Sequence, residues 1–216
     1  SLEMSREQIG HRLLSSEADV DLRIVRQRLY GDVAERRIVN AAGTLSELPI
    51  FIDDTPIQSI VEIRSKARRL HMERKLDLVI VDYLQLVQGT GRRENRVQEV
   101  GEITRALKGI ARDLNVPVLA LSQLSRAVEN RTDHRPIMSD LRESGAIEQD
   151  ADIILFIYRK YVYSKNEEDM GLGEIIVGKH RNGPTGTVQI SFIDRYAKFE
   201  NLSRMETEFI PDDIPA

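Results

Sequence analysis

The sequence contains no cysteine. Disulfides, thiolate metal sites and a cysteine nucleophile are therefore excluded. Histidine is scarce, and His11, His71, His134 and His180 are too scattered to suggest a metal cluster. Ile153 to Ile157 is among the longest apolar runs, far short of the ~20 residues that a membrane-spanning helix needs. No signal-peptide pattern opens the chain, and no repeat or low-complexity block interrupts it. Positive charge is not in excess either: 31 Lys and Arg stand against 35 Asp and Glu, a net charge of −4. A general basic coat for nucleic acid is thereby ruled out, although a local contact site is not. What remains is 216 residues, 41% hydrophobic and 31% charged, enough for one domain with a sizeable core and a tail. The expectation is a cytoplasmic, acidic, mixed α/β domain with no membrane contact.

The pattern of elements supports that class. Arg6 to Glu17 reads as a helix capped by Ser5, and Leu22 to Ala42 as a second helical region broken near Gly31. Ile50 to Asp53 reads as a short strand before the Asp54-Thr55-Pro56 turn. Ser59 and Glu62 have capping-box spacing and open another helix. Leu78 to Val81 is an apolar run of the kind found in strands buried on both faces. Val97, Val100, Ile103, Leu107, Ile110 and Leu114 then recur at helical spacing. Val116 to Leu121 and Ala151 to Tyr158 read as further strands. Glu174 to His180 and Thr187 to Ile193 read as a hairpin around Asn182-Gly183, with a last short strand at Tyr196 to Glu200. Alternating strands and helices with a β-rich end predict an α/β fold with a mainly parallel sheet. The tail, 203–216, is acidic and expected to be mobile.

Several polar residues fall where chemistry occurs in such folds. Asp82 ends the most hydrophobic strand, and ligands of open α/β sheets sit at the carboxyl ends of strands. It is either a Mg²⁺ arm or an Asp that caps a turn. Gln123 follows Leu119-Ala120-Leu121-Ser122 in the same way, as a phosphate-sensing amide or one satisfied by loop backbone. Glu3 also stands at what reads as a strand end. It either activates a water beside a phosphate or merely favours the following helix N-terminus. Lys179 and Arg181 alternate with His180 and so share a face. They are either a phosphate clamp or charges guarding a hairpin edge. Gly173 to His180 has the spacing Gly, four residues, Gly-Lys, but His180 replaces the hydroxyl residue of a phosphate-binding loop. The residues between the glycines also read as strand, which cannot wrap its amides around a phosphate. The polar stretch Ser122 to Asp150 carries four Arg (126, 131, 135, 142) and six acids (Glu129, Asp133, Asp140, Glu143, Glu148, Asp150). It is no basic patch, so any nucleic-acid contact there uses backbone amides and one or two Arg.

The order of short motifs narrows the choice. Ser1-Leu2-Glu3-Met4-Ser5, Asp53-Asp54-Thr55-Pro56, Val81-Asp82-Tyr83-Leu84-Gln85-Leu86, Leu121-Ser122-Gln123-Leu124-Ser125-Arg126, the 14-residue block Ser139 to Asp152 and Lys179-His180-Arg181-Asn182-Gly183-Pro184 follow one another. Together they resemble the C-terminal motor domain of the bacterial replicative DNA helicase, the DnaB family, over residues 1–202. The resemblance implies a RecA-like P-loop ATPase core, forming a homo-hexameric ring around single-stranded DNA and moving 5′ to 3′. ATP and Mg²⁺ would bind between neighbouring subunits, with primase and a helicase loader as partners. It implies that Glu3 polarises the attacking water, Asp82 holds Mg²⁺ through water and Gln123 senses the γ-phosphate. Lys179 and Arg181 would reach in from the neighbour, Arg181 as an arginine finger. Arg12 would contact nucleotide, and Arg142, Glu143 and Gly145 the DNA backbone.

Two departures accompany the resemblance. His180 stands where Gln is common. More seriously, the family's phosphate-binding loop precedes the strand that ends at Glu3, and these 216 residues contain no such loop. The expectation is a fragment lacking the first strand and the loop, by truncation or by a splice junction before Ser1, and inactive alone. A non-catalytic oligomerising or DNA-contacting remnant is the second reading, and another RecA-like ATPase the third.

Overall fold

The computed structural model describes residues 1–28, 30–90, 96–141, 145–202 and 210–211. The chain divides into two units. The first comprises Ser1–Glu3, Asp54–Ile154 and Gly178–Gly183, and the second Met4–Asp53, Leu155–Val177 and Pro184–Ala216.

The second unit opens with α1 (Arg6–Ala18), capped by Ser5, followed by α2 (Leu22–Gln27) and α3 (Asp32–Glu47), whose N-cap is Gly31. Ala18, Val20, Val25 and Ala41 form their core, with Leu14, Ala34 and Ile38 packed against it.

In the first unit the Ser59 hydroxyl accepts the Glu62 N–H while the Glu62 carboxylate accepts the Ser59 N–H, and this capping box starts helix α4 (Ile60–Arg74). Strand β1 (Val79–Val81) leads on to helix α5 (Arg96–Leu114), and strand β2 (Val118–Ala120) runs parallel to β1 with Val79 opposite Val118. The apolar face of α5 is the one that packs. Val100, Ile103, Leu107, Ile110 and Leu114 are all buried, Ile103 completely. Arg64 and Arg68 of α4 both reach Asp113 of α5, at 2.5 and 3.2 Å, which neutralises part of α4's basic face. A short helix α6 (Gly145–Asp150) follows the polar stretch. It lies so close to α5 that a methyl group on Gly101 would stand 3.2 Å from Ala146 Cβ.

Strand β3 (Ile153–Tyr158) is followed by the short α7 (Tyr161–Ser164), β4 (Leu172–His180), β5 (Gly186–Ile193) and β6 (Lys198–Asn201). The sheet order is β3-β4-β5-β6, and β4 and β5 form the antiparallel hairpin expected around Asn182-Gly183. A two-residue strand β7 (Ile210–Pro211) also pairs with β5, and these are the only described residues of the tail. The fold is α/β, with a parallel strand pair and a sheet built on the antiparallel hairpin.

Two expectations need correction. Ile50 to Asp53 is not a strand: it has no ladder partner among the described residues, and Ile50 and Phe51 are exposed. Local β-propensity does not make a strand without a neighbour to pair with. Nor is the parallel pair buried on both faces. Leu78, Ile80, Leu119 and Leu121 are between 43 and 56% exposed. Ile80 and Leu119 are register partners, so they stand side by side on one open face. Burial of both faces needs a helical layer on each side, and no described helix of this unit covers the second face.

Candidate functional site

The carboxyl ends of β1 and β2 lie side by side, because Leu121 N–H donates to the Val81 carbonyl at 2.9 Å and Leu84 N–H to the Leu121 carbonyl at 2.9 Å. Asp82 and Gln123 therefore leave adjacent strands in the same direction. Ser1 to Glu3 joins them there. Leu2 N–H donates to the Asp82 carbonyl at 2.8 Å, the Ser1 hydroxyl to Asp82 Oδ2 at 3.0 Å, and Leu2 is buried. Glu3 then projects from an anchored backbone into solvent, and Gln123 is exposed as well. The structure thus brings the Ser1–Glu3 backbone beside Asp82, although residues 1–5 form no strand, so Glu3 does not stand at a strand end as expected.

Gln85 is a residue that sequence reasoning passed over. Its amide Nε2 donates to the Ser122 hydroxyl at 2.9 Å, and its Oε1 accepts the Gln123 N–H at 3.2 Å. Through one side chain, the loop after β1 fixes the backbone that presents Gln123. A single Gln in an apolar turn gives no sequence signal of this contact, 38 residues away.

The Gly173 to His180 segment lies entirely within β4, paired with β5, so it is no phosphate loop. At the end of that strand Lys179 and Arg181 turn to one side, as their alternation predicts, and meet the last residues of α6. Lys179 Nζ donates to the carbonyls of Glu148 and Ala151, the latter at 2.8 Å. Arg181 Nη2 donates to the Gln149 carbonyl at 3.1 Å, and Nη1 lies 3.3 Å from Asp152 Oδ1. Cations at the carbonyl end of a helix answer its unsatisfied acceptors and its dipole. Asp152 Oδ2 accepts a hydrogen bond from Lys108 Nζ of α5. This hydrogen bond, then the charges of Lys108, Arg181 and Lys179, hold the Asp152 carboxyl below its usual value against the opposing effect of partial burial. His180 has a definite place too. Its ring sits where a Gly183 side chain would be, 2.4 Å from an added Cβ, so any larger residue at 183 must displace this ring.

The polar stretch after β2 is not the solvated loop its composition allows. Asp140 is buried and accepts from both Arg131 terminal nitrogens, Nη1 at 2.7 Å, and from Ile137 N–H at 2.8 Å. Arg131 also donates to the Arg135 carbonyl at 2.5 Å, and Ser125 N–H to the Asp140 carbonyl at 2.7 Å. The Arg131 guanidinium keeps the Asp140 carboxyl below its ordinary 3.8. A lowered folded value gives stability that is complete above 3.8 and is lost as pH falls through the folded value. The thermal midpoint of the wild type is expected to fall more steeply below that pH than the midpoint of Asp140→Asn, which starts lower. Parallel curves would remove this pair from the acid response.

Of the predicted DNA contacts, Gly145 is the exposed first residue of α6, while Arg142 and Glu143 lie outside the described residues. Arg12 is exposed on α1, in the second unit. Among the described residues no group of three or more His, Asp or Glu could hold a metal ion. Asp82, a single carboxylate, still fits Mg²⁺, which keeps several waters and takes other ligands from substrate phosphates. No helix of the described residues is long and apolar enough to cross a membrane.

An α/β fold with an acid and an amide following the carboxyl ends of a parallel pair is the arrangement of a domain that binds its ligand at strand ends. The chain belongs to the DnaB-like helicase C-terminal domain family, which it matches over residues 1–201. It is 52% identical over 205 residues to the replicative DNA helicase DnaB of Geobacillus stearothermophilus, covering 94% of this chain and 45% of that protein. The figures for the replicative DNA helicase DnaC of Bacillus subtilis (strain 168) are the same, 52%, 94% and 45%. The chain thus spans less than half the length of these curated relatives. Among solved structures, a DnaB-like replicative helicase, described with its interactions with primase, matches with a TM-score of 0.89 and 41% identity, over 94% of this chain and 49% of that one. A second solved structure, of an ATPase domain, matches with the same score and identity over 94% of this chain and 73% of its own.

Proposed function

We propose that these residues form most of the motor domain of a replicative DNA helicase, a homo-hexameric ring that encircles single-stranded DNA and moves 5′ to 3′ on ATP hydrolysis. What supports this reading is that the two groups of residues contact different elements of one unit. Glu3, Asp82 and Gln123 gather near the ends of β1 and β2, while Lys179 and Arg181, on the hairpin, meet carbonyls of their own chain and Asp152. Two half-sites make one whole site when copies stand side by side in a ring.

In that site Glu3 polarises the attacking water and takes up its proton, and Gln123 senses the γ-phosphate. Asp82 holds Mg²⁺ through water, and the ion neutralises charge on the phosphates when bound. Arg181, with Lys179, meets the neighbour's transferring phosphoryl group as charge spreads over its oxygens. Arg12 contacts the nucleotide. None of the 216 residues is assigned as the phosphate cradle, because no Gly-rich loop ending in Gly-Lys-Ser or Gly-Lys-Thr is among them. Primase and a helicase loader are the partners of the ring, in the cytoplasm.

Arg142, Glu143 and Gly145 contact the DNA backbone. The acidic balance then presents no obstacle, because a ring holds its strand topologically and needs few phosphate contacts per subunit. Arg142→Ala in the full-length ring is expected to weaken single-strand binding and to lower the slope of log affinity against log salt by ~0.7 for each lost contact. Titration of a labelled oligonucleotide at several salt concentrations checks it, and an unchanged slope moves the DNA path elsewhere.

A further inference from the structure

We infer that Asp152 is a positioning residue for Arg181, stowing its guanidinium against the domain's own α6 between hydrolytic events, and that Lys108 keeps the hold weak enough to release. The inference rests on the reading of Arg181 as a group offered to a neighbour's nucleotide, and goes beyond it by naming what holds that group when no nucleotide does. Arg181 is held in three ways: its N–H donates to the Asp152 carbonyl at 2.8 Å, its Nη2 to the Gln149 carbonyl at 3.1 Å, and its Nη1 lies 3.3 Å from Asp152 Oδ1. The backbone bond fixes where the side chain starts. The other two fix where it rests.

The carboxylate is shared. Lys108 takes Oδ2, and Arg181 makes a single contact, to Oδ1, in place of the two-bond fork that an Arg makes with a free carboxylate. The Arg181 and Asp152 side chains are 47 and 52% exposed, and a pair so open to water adds little stability. Its surroundings loosen it further. Arg105, Lys108 and Arg112 recur along one face of α5 and, with Arg181, Gln149 and Asp150, line a cleft of about 340 Å³. Asp150, the acid of that cleft, is engaged by the Thr104 hydroxyl at 2.6 Å. Arg181 therefore rests among like charges, and its counter-charge is already partly neutralised. A phosphoryl group arriving from a neighbour competes with a weakened partner.

Removal of Lys108 reverses this balance. With Lys108→Met, both Asp152 oxygens are open to Arg181, the stowed state deepens, and the finger is offered less often. In the full-length ring, at saturating ATP and without DNA, turnover is expected to fall about two- to fivefold, the range a single exposed ion pair can supply. The KM for ATP stays unchanged. Asp152→Asn alone is expected to turn over at least as fast as wild type, and Lys108→Met in the Asp152→Asn background to cost nothing more. Raised KCl narrows the Lys108→Met deficit, because an exposed pair is screened; a folding or assembly defect does not respond this way. Lys108→Gln replaces the Met variant if that ring does not assemble. Equal losses from Lys108→Met in both backgrounds, no loss in either, or a slow Asp152→Asn ring would each overturn the inference. Arg181→Ala, run alongside, separates the two levels: full turnover there overturns the finger reading itself, whereas a dead Arg181→Ala ring with additive Lys108 and Asp152 effects overturns the stowing inference alone.

Discussion

Arg181→Ala in the full-length ring is expected to lower ATP turnover by ~10³–10⁵-fold while nucleotide binding changes little. The size follows from when the residue acts. A guanidinium that meets the phosphoryl group only as charge spreads over its oxygens contributes to the transition state and not to the ground state. This timing agrees with the contacts of Arg181 in its own domain, which are to Gln149 and Asp152 and not to a strand-end acid. Arg181→Lys is expected to recover only part of the loss, because an ammonium lacks the planar fork that matches phosphate oxygens. Single-turnover hydrolysis and binding of a fluorescent ATP analogue separate the two effects. Loss of binding in step with turnover would make Arg181 a ground-state contact.

Glu3→Gln carries the second large effect, an expected loss of about 10²–10⁴-fold, the usual contribution of a positioned general base. The substitution keeps size and shape and removes only the capacity to take a proton. Its backbone is anchored by residues other than Glu3, through the Leu2 N–H to the Asp82 carbonyl at 2.8 Å and through the Ser1 hydroxyl to Asp82 Oδ2 at 3.0 Å. The variant is therefore expected to assemble and to bind ATP as the wild type does. Glu3→Asp is expected to lie between the two, its carboxylate withdrawn by one methylene. Turnover within a few-fold of wild type in Glu3→Gln would leave Glu3 as a residue that merely favours the start of α1.

Much of this was legible in the sequence where the signal is local. The cap at Ser5, the capping box at Ser59, the buried stripe of α5 and the hairpin at Asn182-Gly183 each depend on spacings of a few residues. Asp82 and Gln123 could be found because each closes a short apolar run, and strand ends are where such folds bind ligands. What escaped are pairings made across the chain. Arg131 and Asp140 are nine residues apart, Gln85 and Gln123 38, Lys108 and Asp152 44. Each looks in sequence like a solvated polar residue, and the acids of the Ser122 to Asp150 stretch read as surface charge. Ile50 to Asp53 failed for the opposite reason: its local pattern is good, but a strand is a pairing and not a pattern.

If a working site takes Glu3 from one copy and Arg181 from the next, mixed rings reveal it. The most direct test combines Glu3→Gln and Arg181→Ala subunits, each inactive as a pure ring, and measures ATP turnover after reassembly. Wherever an Arg181→Ala subunit supplies its intact Glu3 beside a Glu3→Gln neighbour supplying its intact Arg181, a complete site forms. Random assortment of equal amounts makes this true of roughly a quarter of the interfaces. Recovery of turnover toward that fraction is the predicted result. Turnover that stays at the level of the pure variant rings at every mixing ratio would place both residues in one subunit's site and contradict the account.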